Sequence, residues 1–231
     1  MDEHELPPVN LVHISTQWSR IGDTNLFVLR YATAIKRYLQ TLLRDSNAVE
    51  DVLQSFLLKV VEHGFKQATP DKGRFRNYLI RSVHNAAVTH LRKNNRRRTQ
   101  AMELIDEGSL SVPSEVEKAW NREWYDCLTG RVWRRLQHHE DHSNSHFYTV
   151  LQVSQQNPEL DSKTLAREVS QQVGREISPE NFRKQLSRAR RMFATILIEE
   201  VSETLDESSP EAIRSELTEV GLMPFVEEFL P

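Results

Sequence analysis

Trp120, Trp124, Leu128, Val132 and Leu136 recur at every fourth position, with Trp133 beside them. That spacing stacks large apolar side chains on one face of an α-helix. The same periodicity runs through the N-terminal half. Residues 26–44 carry Leu26, Leu29, Ala32, Ile35, Leu39 and Leu42, and residues 47–63 carry Val49, Val52, Leu53, Phe56, Leu57, Val60 and Val61. A third helix is expected from about Arg74 to Asn95, with Tyr78, Val83, Ala87 and Leu91 in register. Asp45-Ser46-Asn47 supplies a turn and an N-cap, and Gly64 a C-cap. Seven glycines and nine prolines in 231 residues leave little material for the many turns of an all-β chain. The expected fold class is therefore all-α.

With 38% hydrophobic and 27% charged residues, the chain is better suited to two small helical domains than to one deeply buried core. The expected layout is a polar lead-in over 1–25, a helical domain over 26–100 and an acidic linker over 101–116. A second helical domain over 117–200 and an acidic tail over 201–231 complete it. His138, His139, His142 and His146 interrupt the Trp-rich helix and read as a loop or helix end. They match no zinc signature, and the chain has no GxSxG or P-loop, so neither a metal, a cofactor nor an enzymatic activity is expected. Cys127 lies beside Trp124 and Leu128 and reads as a core thiol with no disulfide partner. No apolar run approaches the ~20 residues of a membrane span, and Asp2, Glu3, His4 and Glu5 do not suit a secretory signal. A soluble, cytoplasmic protein without membrane insertion is expected.

The charge is segregated. Between Lys72 and Met102 the chain carries Lys72, Arg74, Arg76, Arg81, Arg92, Lys93, Arg96, Arg97 and Arg98 and no acid, although the formal net charge is −3. Phe75, Tyr78, His84 and His90 interleave with these cations. Arg beside ring side chains suits a nucleic acid with unpaired bases, through phosphate pairing and stacking. From Glu199 the sign reverses, with Arg214 the single base in a tail of acids. Leu217, Val220, Leu222, Phe225, Val226 and Phe229 in that tail are expected to pack on something.

A second nucleic-acid signature follows the linker. A short helix over 162–173, a turn with Gly174 and a helix opened by Ser178-Pro179-Glu180 form a helix-turn-helix pattern. The second helix buries Phe182, Leu186, Ala189, Phe193 and Ile196. Its N-terminal half offers Asn181, Arg183, Lys184, Ser187 and Arg188 to the major groove, where Arg pairs with guanine and Asn with adenine. Arg190 and Arg191 lie deeper and suit phosphate or solvent. On the helix 47–63, Asp51, Gln54, Ser55, Leu58 and Glu62 form a stripe opposite the core face. Leu58 is the apolar member, which points to a protein partner.

The order of these parts resembles a bacterial sigma factor of the small extracytoplasmic-function type. The resemblance rests on Ala48 to Phe56, Gly73 to Asn85, Leu91 to Arg98, Leu165 to Val169, and Phe182 to Arg191 with its Leu-Ser-Arg-Ala-Arg-Arg ending. Ser15 to Ser19, the Trp-rich helix and the acidic tail are similar to a planctomycete-like variant subgroup. The resemblance implies that Asp51, Gln54 and Leu58 dock on the RNA polymerase core. It implies that the loop 65–73 and Arg74, Arg76, Tyr78, Arg81, Asn85, Arg92, Lys93, Arg96 and Arg97 serve the −10 promoter element. It assigns Asn181, Arg183, Lys184, Ser187 and Arg188 to the −35 element, and it allows an anti-sigma factor or other regulator as a further partner. Tyr78 stands where the family often has Trp, Thr89 where it has an acid, and Glu180-Asn181 where it has small residues. An autonomous helix-turn-helix regulator is the alternative reading. For the tail, two readings remain open: a segment that competes with DNA for the basic surfaces, or a helix that completes the second domain.

Overall fold

The computed structural model describes residues 24–65, 75–94, 104–105, 112–205 and 209–230. Among these residues it is all-helical. The helices are α1 (Thr24–Leu42), α2 (Ser46–His63), α3 (Phe75–Asn94), α4 (Ser114–Asp141), α5 (Phe147–Gln156), α6 (Ser162–Val173), α7 (Pro179–Ser202) and α8 (Pro210–Val220). Two short 3-10 turns, Met223–Phe225 and Glu227–Phe229, follow α8. Residues 1–23 of the lead-in lie outside the described residues, as do most of the loop after Phe65 and most of the linker.

The local chemistry explains the helix ends. Asp45 caps α2 by accepting from the Asn47 amide at 3.1 Å, and Gly64 closes the helix at φ +62°. Asp161 caps α6 through the Thr164 amide at 2.8 Å, which draws its carboxyl below the ordinary value. Gly174 ends α6 in the left-handed region, at φ +67°. Ser178 then accepts from the Asn181 amide, and Pro179 opens α7. A feature invisible in the sequence pattern braces this turn: Ser170 Oγ donates to the Ala166 carbonyl at 2.6 Å and accepts from the Ile177 amide at 2.9 Å. The histidine-rich stretch is a helix end followed by a short non-helical connection over 142–146, as expected. His138 and His139 lie in the last turn of α4, and Glu140 reaches on to cap α5 at Thr149.

Two buried clusters hold the helices. The smaller joins α5, α6 and the start of α7 through Val150, Val153, Leu165, Ala166, Val169, Ile177 and Phe182. The larger runs through α1, α2, α3, α4, α7 and α8, and so draws on both expected halves of the chain. Helix α4 is the shared wall. Steps of four residues in a helix of 3.6 per turn rotate by about 40° each, so the stripe Trp120–Leu136 winds around the helix as it rises. Near its start, Trp124 stacks on Tyr31 at 5.1 Å and Trp120 meets Tyr38 edge-on at 5.6 Å. Further along, Trp133 packs edge-on against Phe193 of α7 at 5.4 Å. Cys127 is buried in the same wall, and burial pushes its thiol up.

Three expected faces are corrected. In α1 the inward face is Phe27, Tyr31, Ala34, Ile35, Tyr38 and Leu39, while Leu29 is exposed. In α2, Val61 is 57% exposed and not a core residue. In α3 the core positions are Leu79, Ile80, Val83, Ala87 and Val88, with Tyr78 and Leu91 only partly buried. In the acidic tail, Ile213, Leu217, Val220, Leu222 and Val226 are buried, so this segment does pack, against α4 and α7. Phe225 is exposed.

Candidate functional site

The α2 stripe is on the surface. Asp51, Gln54, Ser55 and Glu62 are exposed, and Leu58 is 54% exposed. Val61 lies seven positions beyond Gln54 and three beyond Leu58, so it joins the same face. The sequence reading missed it by counting it as core. Its position within the Gln54–Leu58–Val61 register was the available signal. An apolar pair rimmed by carboxylates and an amide is chemistry suited to a protein partner.

Helix α3 is not a uniformly solvated basic face. Arg92 and Lys93, in its last turn, are exposed. Arg76 and Arg81 are buried, at 8% and 4% exposure. Arg76 Nη1 donates to Glu216 Oε1 at 2.7 Å, and Nη2 pairs with Glu219 and lies 3.6 Å from Glu117. Arg81 Nη1 has no hydrogen-bond partner among the described residues. His84 is buried, with Nδ1 3.0 Å from the Tyr38 hydroxyl, and burial raises the Tyr38 phenol far above its ordinary value. Tyr78 packs with Phe65 and Phe75 in a ring cluster that continues to Phe27. Asn85 binds the backbone of Ile105 on both sides of its amide. Arg74, Arg96 and Arg97 lie outside the described residues.

Helix α7 exposes all five residues expected there from the sequence. Asn181, Arg183, Lys184, Ser187 and Arg188 are exposed on α7, while Phe182 and Ala189 are buried behind them. Lys184 forms an i,i+4 pair with Glu180 at 2.8 Å. Such an exposed pair is weak, so the Lys184 ammonium remains open to exchange. Arg190 and Arg191 extend the cationic face. Beside them a half-open groove of about 480 Å³ runs between α4, α5, α7 and the terminal turns, lined by Trp133, Phe193, Phe225 and Arg190 among others.

Carboxylates of the C-terminal third sit opposite arginines of the earlier helices. Arg30 on α1 binds both the side chain and the carbonyl of Glu203. Glu200 is buried between Arg131, at 2.7 Å, and Arg135, at 3.1 Å, and Arg135 also holds Glu199. Arg131 further covers the Trp124 ring, 5.2 Å from its centroid. The His138 and His142 rings stack on one another, and no group of three His, Cys, Asp or Glu side chains among the described residues is arranged to hold a metal ion.

Among the described residues these parts define an all-helical protein with an exposed stripe on α2 that is part apolar and part acidic, basic residues on α3, and a short helix α6 joined by a tight turn to a longer basic helix α7. Residues 27–97, which span nearly all of α1 to α3 and the loop between α2 and α3, match the family model for sigma-70 region 2. Over that segment the match supports the role of sigma-70 region 2, RNA polymerase binding and promoter melting. It does not extend to the helix-turn-helix. No curated protein and no solved structure matches the chain. No described helix is long and apolar enough to cross a membrane.

Proposed function

We propose that the chain is a sigma factor of the extracytoplasmic-function type, of a planctomycete-like variant subgroup. It acts in the cytoplasm and directs RNA polymerase core to a promoter. The observation that carries this reading is the region 2 match over α1 to α3, followed in the same chain by a capped helix-turn-helix with an exposed cationic face. Asp51, Gln54 and Leu58, joined by Val61, dock on the core enzyme. The loop after Phe65 and the basic residues from Arg74 to Arg97 serve the −10 element, where unpaired bases need stacking and phosphates need cations. Asn181, Arg183, Lys184, Ser187 and Arg188 read the −35 duplex from the major groove. An anti-sigma factor is a compatible further partner.

Run-off transcription from genomic fragments with purified core polymerase tests the proposal. A promoter-specific transcript that depends on this chain is the expected result. Absence of any specific transcript across a range of salt concentrations overturns it. The exposed recognition face of the free chain favours one second reading, an autonomous helix-turn-helix regulator. Specific, salt-sensitive duplex binding without polymerase, together with no transcript, would mark that outcome.

A further inference from the structure

Three carboxylates from two distant elements converge on one arginine of the basic helix. Arg76 lies in the first turn of α3, and it meets Glu117 of α4 and Glu216 and Glu219 of α8. Helix α8 is capped at both ends. Ser209 caps it through the Ala212 amide, Pro210 opens it, and Gly221 closes it at φ +79°. Its other face, Ile213, Leu217 and Val220, is buried. Asn121 of α4 also donates to the Glu219 carbonyl at 3.2 Å, which fixes the end of α8 beside α4. A second tie of the same sense joins Arg30 to Glu203. Both arginines fall within the segment matched to sigma-70 region 2, and Glu203, Glu216 and Glu219 fall in the C-terminal acidic segment.

A guanidinium fork accepts a carboxylate and a phosphate in the same geometry, and it cannot hold both through the same N–H groups. We infer that Glu117, Glu216 and Glu219 act as a built-in substitute for nucleic-acid phosphate, keeping Arg76 occupied until DNA displaces them. This rests on the sigma-factor reading for its biological setting, but its chemistry concerns Arg76 and DNA alone. The C-terminal segment is then both a packed helix of the fold and a competitor for the cationic helix. A purely structural tie would make the same contacts and have no effect on DNA affinity.

The test uses the full chain without polymerase and a short fluorescein-labelled single-stranded DNA, read by fluorescence anisotropy. The double variant Glu117→Gln/Glu219→Gln removes the two partly exposed carboxylates and leaves buried Glu216 in place. Circular dichroism and thermal unfolding verify that it keeps the fold. The expected result is binding on the order of tenfold tighter than wild type, a difference of about 1.4 kcal/mol. The gain should vanish when the same pair is introduced into Arg76→Gln. Unchanged affinity, or an equal gain in the Arg76→Gln background, overturns the inference. Run-off transcription by the wild-type chain judges the sigma-factor reading separately, so the failure of either is recognisable.

Discussion

The side chain of Asn85 holds the backbone of Ile105 as a neighbouring strand would. Asn85 Nδ2 donates to the Ile105 carbonyl and Oδ1 accepts from the Ile105 amide, both at 2.8 Å. The Ile105 side chain is buried, so the contact pins Ile105 to the flank of α3. Asn85→Ala leaves both backbone groups of Ile105 without their partner, and unsatisfied groups of this kind cost about 1–3 kcal/mol. An unfolding free energy lowered by that amount, read from a lower urea midpoint at unchanged m, is expected. Asn85→Asp sets a carboxylate oxygen against the Ile105 carbonyl, acceptor against acceptor, so its midpoint should fall at least as far as that of alanine. An alanine variant as stable as wild type would contradict the anchoring role.

The α2 stripe gives a prediction about binding without folding. Leu58→Asp and Val61→Asp place a charge on side chains that are more than half exposed, so thermal unfolding should shift little. If the stripe docks on RNA polymerase core, each should weaken that complex by tenfold or more, about 1.4 kcal/mol, because charge in the apolar centre of an interface is costly. Titration of labelled core polymerase measures this directly. An unchanged dissociation constant for both variants would remove the stripe from the interface.

Much of this architecture is legible in the sequence, because short-range chemistry writes it there. Ser178-Pro179, Gly174, Gly64 and Asp45 mark helix ends through bonds to residues a few positions away, and they are where the caps occur. The Trp120–Leu136 stripe likewise marks one helix and its buried face. Arg76 and Arg81 are different. In an acid-free run they look solvated, yet helical spacing sets Arg76 in register with Ile80 and Val83, and Arg81 in register with His84 and Val88. That register was a signal for burial. The partners were not readable, since Glu216 and Glu219 lie 140 and 143 positions away from Arg76. A periodic pattern says which face turns inward, but not which distant element meets it. The same limit applies to α4, whose winding stripe serves both halves of the chain.

If α7 reads the −35 element as proposed, its arginines should separate specificity from affinity. Arg183 and Arg188 are exposed on the N-terminal half of α7, with no role in its core. Alanine at either should leave stability unchanged. For a bidentate guanine contact it should cost about 1–3 kcal/mol at the cognate −35 sequence and relax the preference at one base position. Arg190→Ala, deeper along the helix, should instead weaken binding to all sequences alike and flatten the salt dependence. Competition binding of promoter variants at two salt concentrations, using the polymerase holoenzyme, distinguishes the two patterns. Equal loss on every sequence for Arg183→Ala and Arg188→Ala would argue against base reading by this face.

Glu203 gives a pH dependence with a defined sign. Burial raises its carboxyl above the ordinary 4.5, Arg30 pulls it down, and nearby Glu200 pushes it up again; the net shift is upward. A group whose folded value is raised makes the native state the better proton binder. Its linked stability is present below the unfolded value and is lost as pH rises through the folded value. Glu203→Gln removes that titration and keeps a hydrogen-bonding oxygen for Arg30. The difference in melting temperature between variant and wild type should therefore move in the variant's favour as pH rises from about 4 to about 7. Differential scanning calorimetry across that range measures it. A constant difference would show that Arg30 cancels the effect of burial, and a drift in favour of wild type with rising pH would show that Arg30 outweighs it.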